Sequence, residues 1–115
     1  MAKKNVDLTL FVKQTGALKV TVLPFRRHLS KSGKDVARFT LNGDITFAEV
    51  SFAASAWPFK GTPKVLDGST DFDSPELKPT VADGDVRKYS ITLYFDDIAG
   101  VERSVTIDPD MVVDS

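Results

Sequence analysis

The sequence predicts an all-β fold: an antiparallel two-sheet sandwich with immunoglobulin-like layering and six to eight short strands. Apolar residues alternate with period two in several short segments, and turn signals recur at intervals of about 8–12 residues. No window keeps a helical period over about ten residues. Phe, Val and Tyr, which favour strands, supply much of the apolar content. The chain of 115 residues fits one β-sandwich domain, residues 1–115.

The N-terminal segments are predicted to form a hairpin. Residues 6–12 alternate between apolar and other positions, residues 18–22 do the same, and Gly16 lies in the turn between them. The core-facing positions of the first strand would be Val6, Leu8, Leu10 and Val12. Pro24 ends the second strand because it cannot donate to a ladder. Residues 26–34 are polar, basic and glycine-containing, which favours a loop.

A second hairpin is predicted where Asn42 and Gly43 follow the apolar segment 36–41. A two-residue loop would place Ile45 and Phe47 on the face opposite Phe39 and Leu41. A three-residue loop, 42–44, would give one apolar face, so the pattern favours the longer loop. The apolar phase then changes between Phe47 and Val50, which indicates a bulge near 48–49 or a strand covered on both faces.

The remaining segments alternate between loops and strands. Two prolines and a glycine exclude a central strand at 57–63, and the acidic segment 67–85 is predicted to be a long loop. A short edge strand or a helical turn at 65–66 or around Leu77 would break it. Residues 87–95 form the clearest strand, 101–107 pair back, and 111–113 add a last strand. The inward residues of the clearest strand would be Tyr89, Ile91, Leu93 and Phe95.

The C-terminal third carries a resemblance to a known family. The strand 89–95, a turn, and Ser104-Val105-Thr106-Ile107-Asp108-Pro109 before an apolar tail resemble the end of the small bacterial DP-EP family. The loop Trp57-Pro58-Phe59-Lys60-Gly61 is similar to the same pattern. The nearest match to the Glu-Pro element is Glu76 and Pro79, which are not adjacent. The resemblance implies a small β-sandwich and supplies no catalytic residue.

Charge is unevenly distributed although the net charge is -1. Residues 1–38 hold nine Lys or Arg against two Asp, whereas residues 39–115 hold six against fourteen acidic residues. In one interpretation strands from both halves interleave and the charges mix. In the other, a basic surface and an acidic surface favour head-to-tail self-association.

Several function classes are excluded or disfavoured by composition. The absence of cysteine excludes disulfides, thiolate metal sites and a cysteine nucleophile. No stretch approaches the roughly 20 apolar residues of a membrane span, and no signal-peptide core follows the basic N-terminus, so a cytoplasmic protein is expected. No phosphate-binding or dinucleotide-binding glycine motif is present, and no cofactor is expected.

The sequence contains no convincing catalytic or metal-binding constellation. His28 is the one histidine and lies among basic residues, and Asp96-Asp97 lies in a predicted turn. The alternate spacing of Asp67, Ser69, Asp71 and Asp73 is that which opens a calcium loop, but Phe72 and Lys78 stand where glycine and glutamate are needed. A solvated acidic loop is therefore expected, with no metal, and the chain is predicted not to be an enzyme.

Two groups of residues are candidates for binding. The basic cluster contains Arg26, Arg27, Lys31 and Lys34, which could contact phosphates, but a pI of about 5.7 argues against nucleic acid. Trp57 and Phe59, held by Pro58, could stack on a sugar or anchor a partner, or they could cap the core.

The sequence thus predicts a non-enzymatic structural or protein-interaction module whose partner is itself or another protein. Strand edges near Pro24 and in the C-terminal tail would be available for pairing across subunits. The alternative is a small-ligand or carbohydrate-binding module that uses the Trp57-Phe59 loop.

Overall fold

The computed structural model describes residues 2–115, and this part of the chain is built from strands. In chain order they are β1 (Lys3–Val12), β2 (Leu18–Leu23), β3 (Arg26–Ser30), β4 (Val36–Gly43), β5 (Ile45–Ser51), β6 (Leu66–Gly68), β7 (Phe72–Asp73), β8 (Val86–Lys88), β9 (Ser90–Asp96), β10 (Glu102–Ile107) and β11 (Asp110–Asp114). A 3-10 turn occupies Ala54–Ala56. No helix within residues 2–115 has the length and apolar character required to cross a membrane.

The all-β prediction is confirmed, but the prediction of six to eight strands is wrong. Eleven strands are present in residues 2–115. The segment predicted as the loop 26–34 contains β3, and the acidic segment contains β7. These strands are short or polar, so they lack the alternation that identifies a strand in a sequence. The short edge strand expected at 65–66 is present as β6, which continues to Gly68 at the edge of its sheet.

Hydrogen bonding arranges the strands in three sheets. The first has the order β2-β1-β4-β7, the second β10-β9-β5-β6, and the third β3-β11-β8. The prediction of purely antiparallel pairing is wrong, because β1 is parallel to β4 and β3 is parallel to β11. The hairpin of β1 and β2 is confirmed, with Val12 opposite Leu18.

The second and third sheets continue into each other through one long hairpin. In β9 and β10, Ile91 lies opposite Ile107, and in β8 and β11, Lys88 lies opposite Asp110. Between these pairs the Tyr89 backbone N–H donates to the Pro109 carbonyl. The pairing of β9 with β10 and the pairing of β8 with β11 thus follow the same register. The two ladders are therefore parts of one antiparallel pair, interrupted where Pro109 lacks an N–H group.

The predicted hairpin at Asn42-Gly43 is wrong for both loop lengths, because β4 and β5 belong to different sheets. The place beside β4 is taken by β1, and the Asp44 backbone N–H donates to Leu10 O at 2.7 Å. Gly43 has a φ of 76°, and a Cβ there would overlap the Leu10 carbonyl oxygen, so glycine is required. A register irregularity against β9 lies at Ile45–Phe47, slightly before the predicted bulge.

The core combines residues from all three sheets. It includes Leu8 of β1, Ile91 of β9 and Met111 of β11. The predicted inward faces of the first strand and of 89–95 are buried, except that Val12 is only partly buried. Aromatic rings extend this core around Phe52, which stacks on Tyr89 with ring centroids 4.9 Å apart.

Candidate functional site

Trp57 and Phe59, predicted as binding residues, lie inside the aromatic core. Trp57 is 1% exposed and Phe59 is 0% exposed. Their rings meet edge to face at a centroid distance of 5.1 Å, and the Trp57 indole N–H donates to the Gly61 carbonyl at 3.1 Å. Neither ring has a free face on which a sugar could stack. The burial supports the interpretation that these aromatic residues cap the core.

The loop that carries these rings is fixed against the segment around Leu77. Phe59 forms an isolated bridge with Leu77, and the Lys60 backbone N–H donates to Glu76 O at 2.8 Å. The Lys60 ammonium also lies 2.9 Å from a carboxylate oxygen of Glu76. The aromatic anchors therefore hold Lys60 at the surface in a defined position.

The turn between β3 and β4 is held by a buried carboxylate. Asp35 is 4% exposed, and its carboxylate accepts the Ser30 backbone N–H at 2.8 Å. Ser30 Oγ in turn accepts the Gly33 N–H at 3.0 Å. Lys34 adopts a φ of 53°, the left-handed conformation, and no other non-glycine residue within 2–115 has a positive φ. Such strain persists only where the surrounding structure holds it.

A cleft of about 280 Å³ separates this turn from the Trp57-Lys60 loop; we call it the lysine cleft. It is lined by Lys31, Ser32, Lys34, Lys60, Glu76, Leu77 and Pro79. Its lining therefore includes three lysines and one glutamate. The hydrogen bond from Lys60, with the positive charge of Lys60 and Lys34, lowers the pKa of Glu76 despite some desolvation.

The three lysines of the cleft differ in their partners. Lys31 donates to the Val81 carbonyl at 2.7 Å and lies 2.8 Å from Asp83. Lys60 is paired with Glu76. Lys34 is exposed and forms no ion pair among residues 2–115. The lysine cleft therefore has a positive charge available to an anionic ligand.

Arg26 and Arg27 do not join Lys31 and Lys34 in the cleft. Arg26 donates to the Asp110 carboxylate at 2.9 Å, and Lys88 lies 3.1 Å from the other oxygen of that carboxylate. Arg27 donates to the Asn5 carbonyl at 3.2 Å. Only two residues of the predicted basic cluster therefore share a candidate site.

Ion pairs connect the basic and the acidic parts of the sequence. Lys3 and Arg38 both pair with Asp73, at 2.9 and 3.0 Å. Arg26 and Lys31 pair with later acidic residues in the same way. These pairs support the interpretation that strands interleave and charges mix, rather than the segregation of a basic and an acidic surface.

In a larger concavity elsewhere, the one basic side chain that residues 2–115 contribute is paired with carboxylates. This concavity of about 410 Å³ is lined by Arg38, Leu41, Ile45, Ser69, Thr70 and Asp71. The Arg38 guanidinium forms ion pairs with Asp71 and Asp73. Both aspartates belong to the segment whose spacing resembles the start of a calcium loop. Within residues 2–115 no three His, Cys, Asp or Glu side chains are grouped to hold a metal ion.

One side of the molecule exposes residues that belong to the core face. β2 leads into β3 and β10 leads into β11, and β3 pairs with β11 in parallel. The C-terminal ends of β2 and β10 therefore lie on the same side, and β2 and β10 are edge strands of different sheets. We call this side the open side.

The apolar residues of the open side are incompletely covered. Leu18 and Val20 lie opposite Val12 and Leu10 of β1, so they are on the core face, yet Leu18 is 41% exposed. Ile98, in the turn before β10, is 63% exposed. Sequence reasoning did not find this surface, because Leu18 and Val20 read as ordinary core positions.

Comparisons of the chain with protein-family models, with curated proteins and with solved structures found no match.

Proposed function

We propose that the protein is a non-enzymatic interaction module that self-associates through the open side between β2 and β10. The observation that carries this proposal is the exposure of core-face residues beside free strand edges. A strand edge offers unpaired N–H and C=O groups to a further strand. Apolar side chains next to it add the hydrophobic contribution that backbone pairing alone lacks.

The proposed architecture is a two-layer sandwich with immunoglobulin-like layering. One layer would be β2-β1-β4-β7, and the other would join the second and third sheets through their common hairpin. The chain passes from the first sheet to the third at Pro24 and from the first to the second at Gly43. Such crossings between layers are typical of Greek-key sandwiches. In this sandwich β1 would be an additional strand inserted between β2 and β4.

The proposed partner is a second copy of this chain. Paired antiparallel about a two-fold axis centred on Val20, two β2 strands would place Lys19 opposite Thr21 of the partner. Lys19 is the only charged residue of β2, so this register brings no like charges together. The net charge of -1 also adds little repulsion between copies. The C-terminal tail offers no comparable edge, because β11 is paired on both sides.

The test compares Leu18→Lys with the matched variant Val65→Lys. The exposed fraction of Val65, 47%, is similar to the 41% of Leu18. Val65 directly precedes β6 and lies away from the open side. In sedimentation velocity over a concentration series, the parent and Val65→Lys should form the same dimer. Leu18→Lys should raise the dissociation constant at least about tenfold, since a lysine on an edge must be desolvated to pair.

Two outcomes would contradict the proposal. One is a parent protein that stays monomeric at the highest concentration measured. The other is an equal effect of Leu18→Lys and Val65→Lys, which would place the contact elsewhere. Thermal unfolding of both variants would establish that the lysines have not changed the fold.

A further inference from the structure

We propose that the lysine cleft is a binding site for a small phosphorylated ligand, with Lys34 as the residue that contacts the phosphate. This inference is independent of the self-association described above. It rests on other residues, at the end of β3 rather than along β2.

The lysine cleft offers positive charge to an anion. Lys31 and Lys60 are each engaged by a carboxylate, whereas Lys34 forms no ion pair among residues 2–115. All three lysines line one concavity. The carboxylates of Asp83 and Glu76 offset the charges of Lys31 and Lys60, so the Lys34 ammonium is the charge left to attract an anion. Lysine is a compact point charge suited to phosphate, which it binds without a fixed geometry.

The turn that carries Lys34 has an unusual backbone conformation. Lysine is strained in the left-handed backbone conformation, whereas Asn, Asp or Gly would adopt it at a lower free-energy cost. The buried Asp35 carboxylate, bonded to the Ser30 N–H at 2.8 Å, holds the turn in place. Backbone strain at an exposed residue with a charged side chain favours a role for that side chain.

The walls of the lysine cleft combine apolar and polar groups. Leu77 and Pro79 form an apolar wall, and Ser32 adds a hydroxyl that can donate to a phosphate oxygen. The volume of about 280 Å³ is near the lower end of the range for small-molecule sites. A phosphate on a compact organic group, such as a sugar phosphate, fits this combination.

The experiment is a titration of the ¹⁵N-labelled protein, followed by amide chemical shifts. The probes are inorganic phosphate and glucose 6-phosphate, with sodium chloride at equal ionic strength as the reference. We expect saturable shifts at Ser32, Gly33, Lys34 and Lys60 that chloride does not produce. If glucose 6-phosphate binds more tightly and also shifts Leu77, the organic group contacts the apolar wall. Equal binding of both probes would identify the free anion as the ligand.

The matched variants are Lys34→Gly and Lys64→Gly. Glycine accepts a positive φ without strain, so Lys34→Gly keeps the turn while it removes the ammonium. Lys64 is exposed and lies outside the cleft. Lys34→Gly should weaken phosphate binding at least about fivefold, and Lys64→Gly should leave it unchanged. Shifts that chloride reproduces, or an equal affinity of Lys34→Gly and the parent, would overturn the proposal.

Discussion

At the scale of single residues, Tyr89 combines favourable packing with an unfavourable hydroxyl. Its ring stacks on Phe52 at 4.9 Å and meets Phe39 edge to face at 6.3 Å. The hydroxyl is buried and has no hydrogen-bond partner among residues 2–115. Burial raises the pKa of Tyr89 well above its ordinary value, with a smaller contribution from the negative charge of Asp110. A buried polar group without a partner costs about 1–3 kcal/mol.

Tyr89→Phe is therefore expected to stabilise the protein by about 1 kcal/mol, because it removes the hydroxyl and keeps the stacked ring. Urea unfolding gives the measurement. Tyr94→Phe is the matched variant, since the Tyr94 hydroxyl donates to Glu49 and its removal should reduce stability. A lower stability for Tyr89→Phe would show that the buried hydroxyl has a bonded partner in solution.

At the scale of elements, Asp110 joins the three strands of the third sheet. It begins β11 and lies opposite Arg26 of β3 and Lys88 of β8. Its carboxylate is 7% exposed and interacts with both cations. The hydrogen bonds from Arg26, and then those from Lys88, lower the pKa of Asp110 below its ordinary value.

Because folding lowers the pKa of Asp110, the stability of the folded protein depends on pH in a predictable direction. The contribution of Asp110 to stability is present above the unfolded pKa of about 3.9 and is lost as the pH falls through the lower folded value. Asp110→Asn should be less stable than the parent near neutral pH, and this difference should shrink below about pH 4. Urea unfolding midpoints of both proteins between about pH 2 and pH 7 provide the test. A difference that does not change with pH would mean that Asp110 acts by shape rather than charge.

The sequence predicted the strands in which apolar and polar residues alternate. β1 and β9 have one buried face each, and their alternation identified them. β2 was identified by its apolar alternation, although Val22 is its only buried residue. β3 escaped prediction because its one fully buried residue is Leu29, and its partner β11 is distant in the sequence. The hairpin at Gly43 failed for a related reason. A turn motif reports local geometry, whereas the strand that pairs with β4 is the non-local β1.

The candidate sites could be predicted only in part. Lys31 and Lys34 were selected as basic residues, but Lys60 joins them through the contact of Phe59 with Leu77, which is not visible in the sequence. Trp57 and Phe59 were selected because large aromatic residues can bind ligands. The structure uses them in the core instead, and their sequence neighbour Lys60 lines the cleft.

At the scale of the whole molecule, the shape and the pairing of charges are compatible with the proposed apolar contact between copies. The chain measures 47 × 22 × 20 Å along its principal axes, so its long sides provide most of the contact surface. Ion pairs join Lys3 to Asp73 and Arg26 to Asp110, so the charges of these residues are mixed and do not form separate basic and acidic surfaces. The contact proposed here therefore relies on strand pairing and on the burial of residues such as Leu18.

This origin of the contact predicts how assembly responds to salt. Screening weakens contacts between exposed charges, because the Debye length falls from about 10 Å at 0.1 M to about 3 Å at 1 M salt. Apolar burial is not weakened by this effect. The dissociation constant of the dimer, measured by sedimentation over that range of sodium chloride, should therefore change less than about threefold. An increase of about tenfold or more would mean that charge complementarity holds the copies together. The contact would then be sought at the basic cluster and the acidic segment 67–85 rather than at β2.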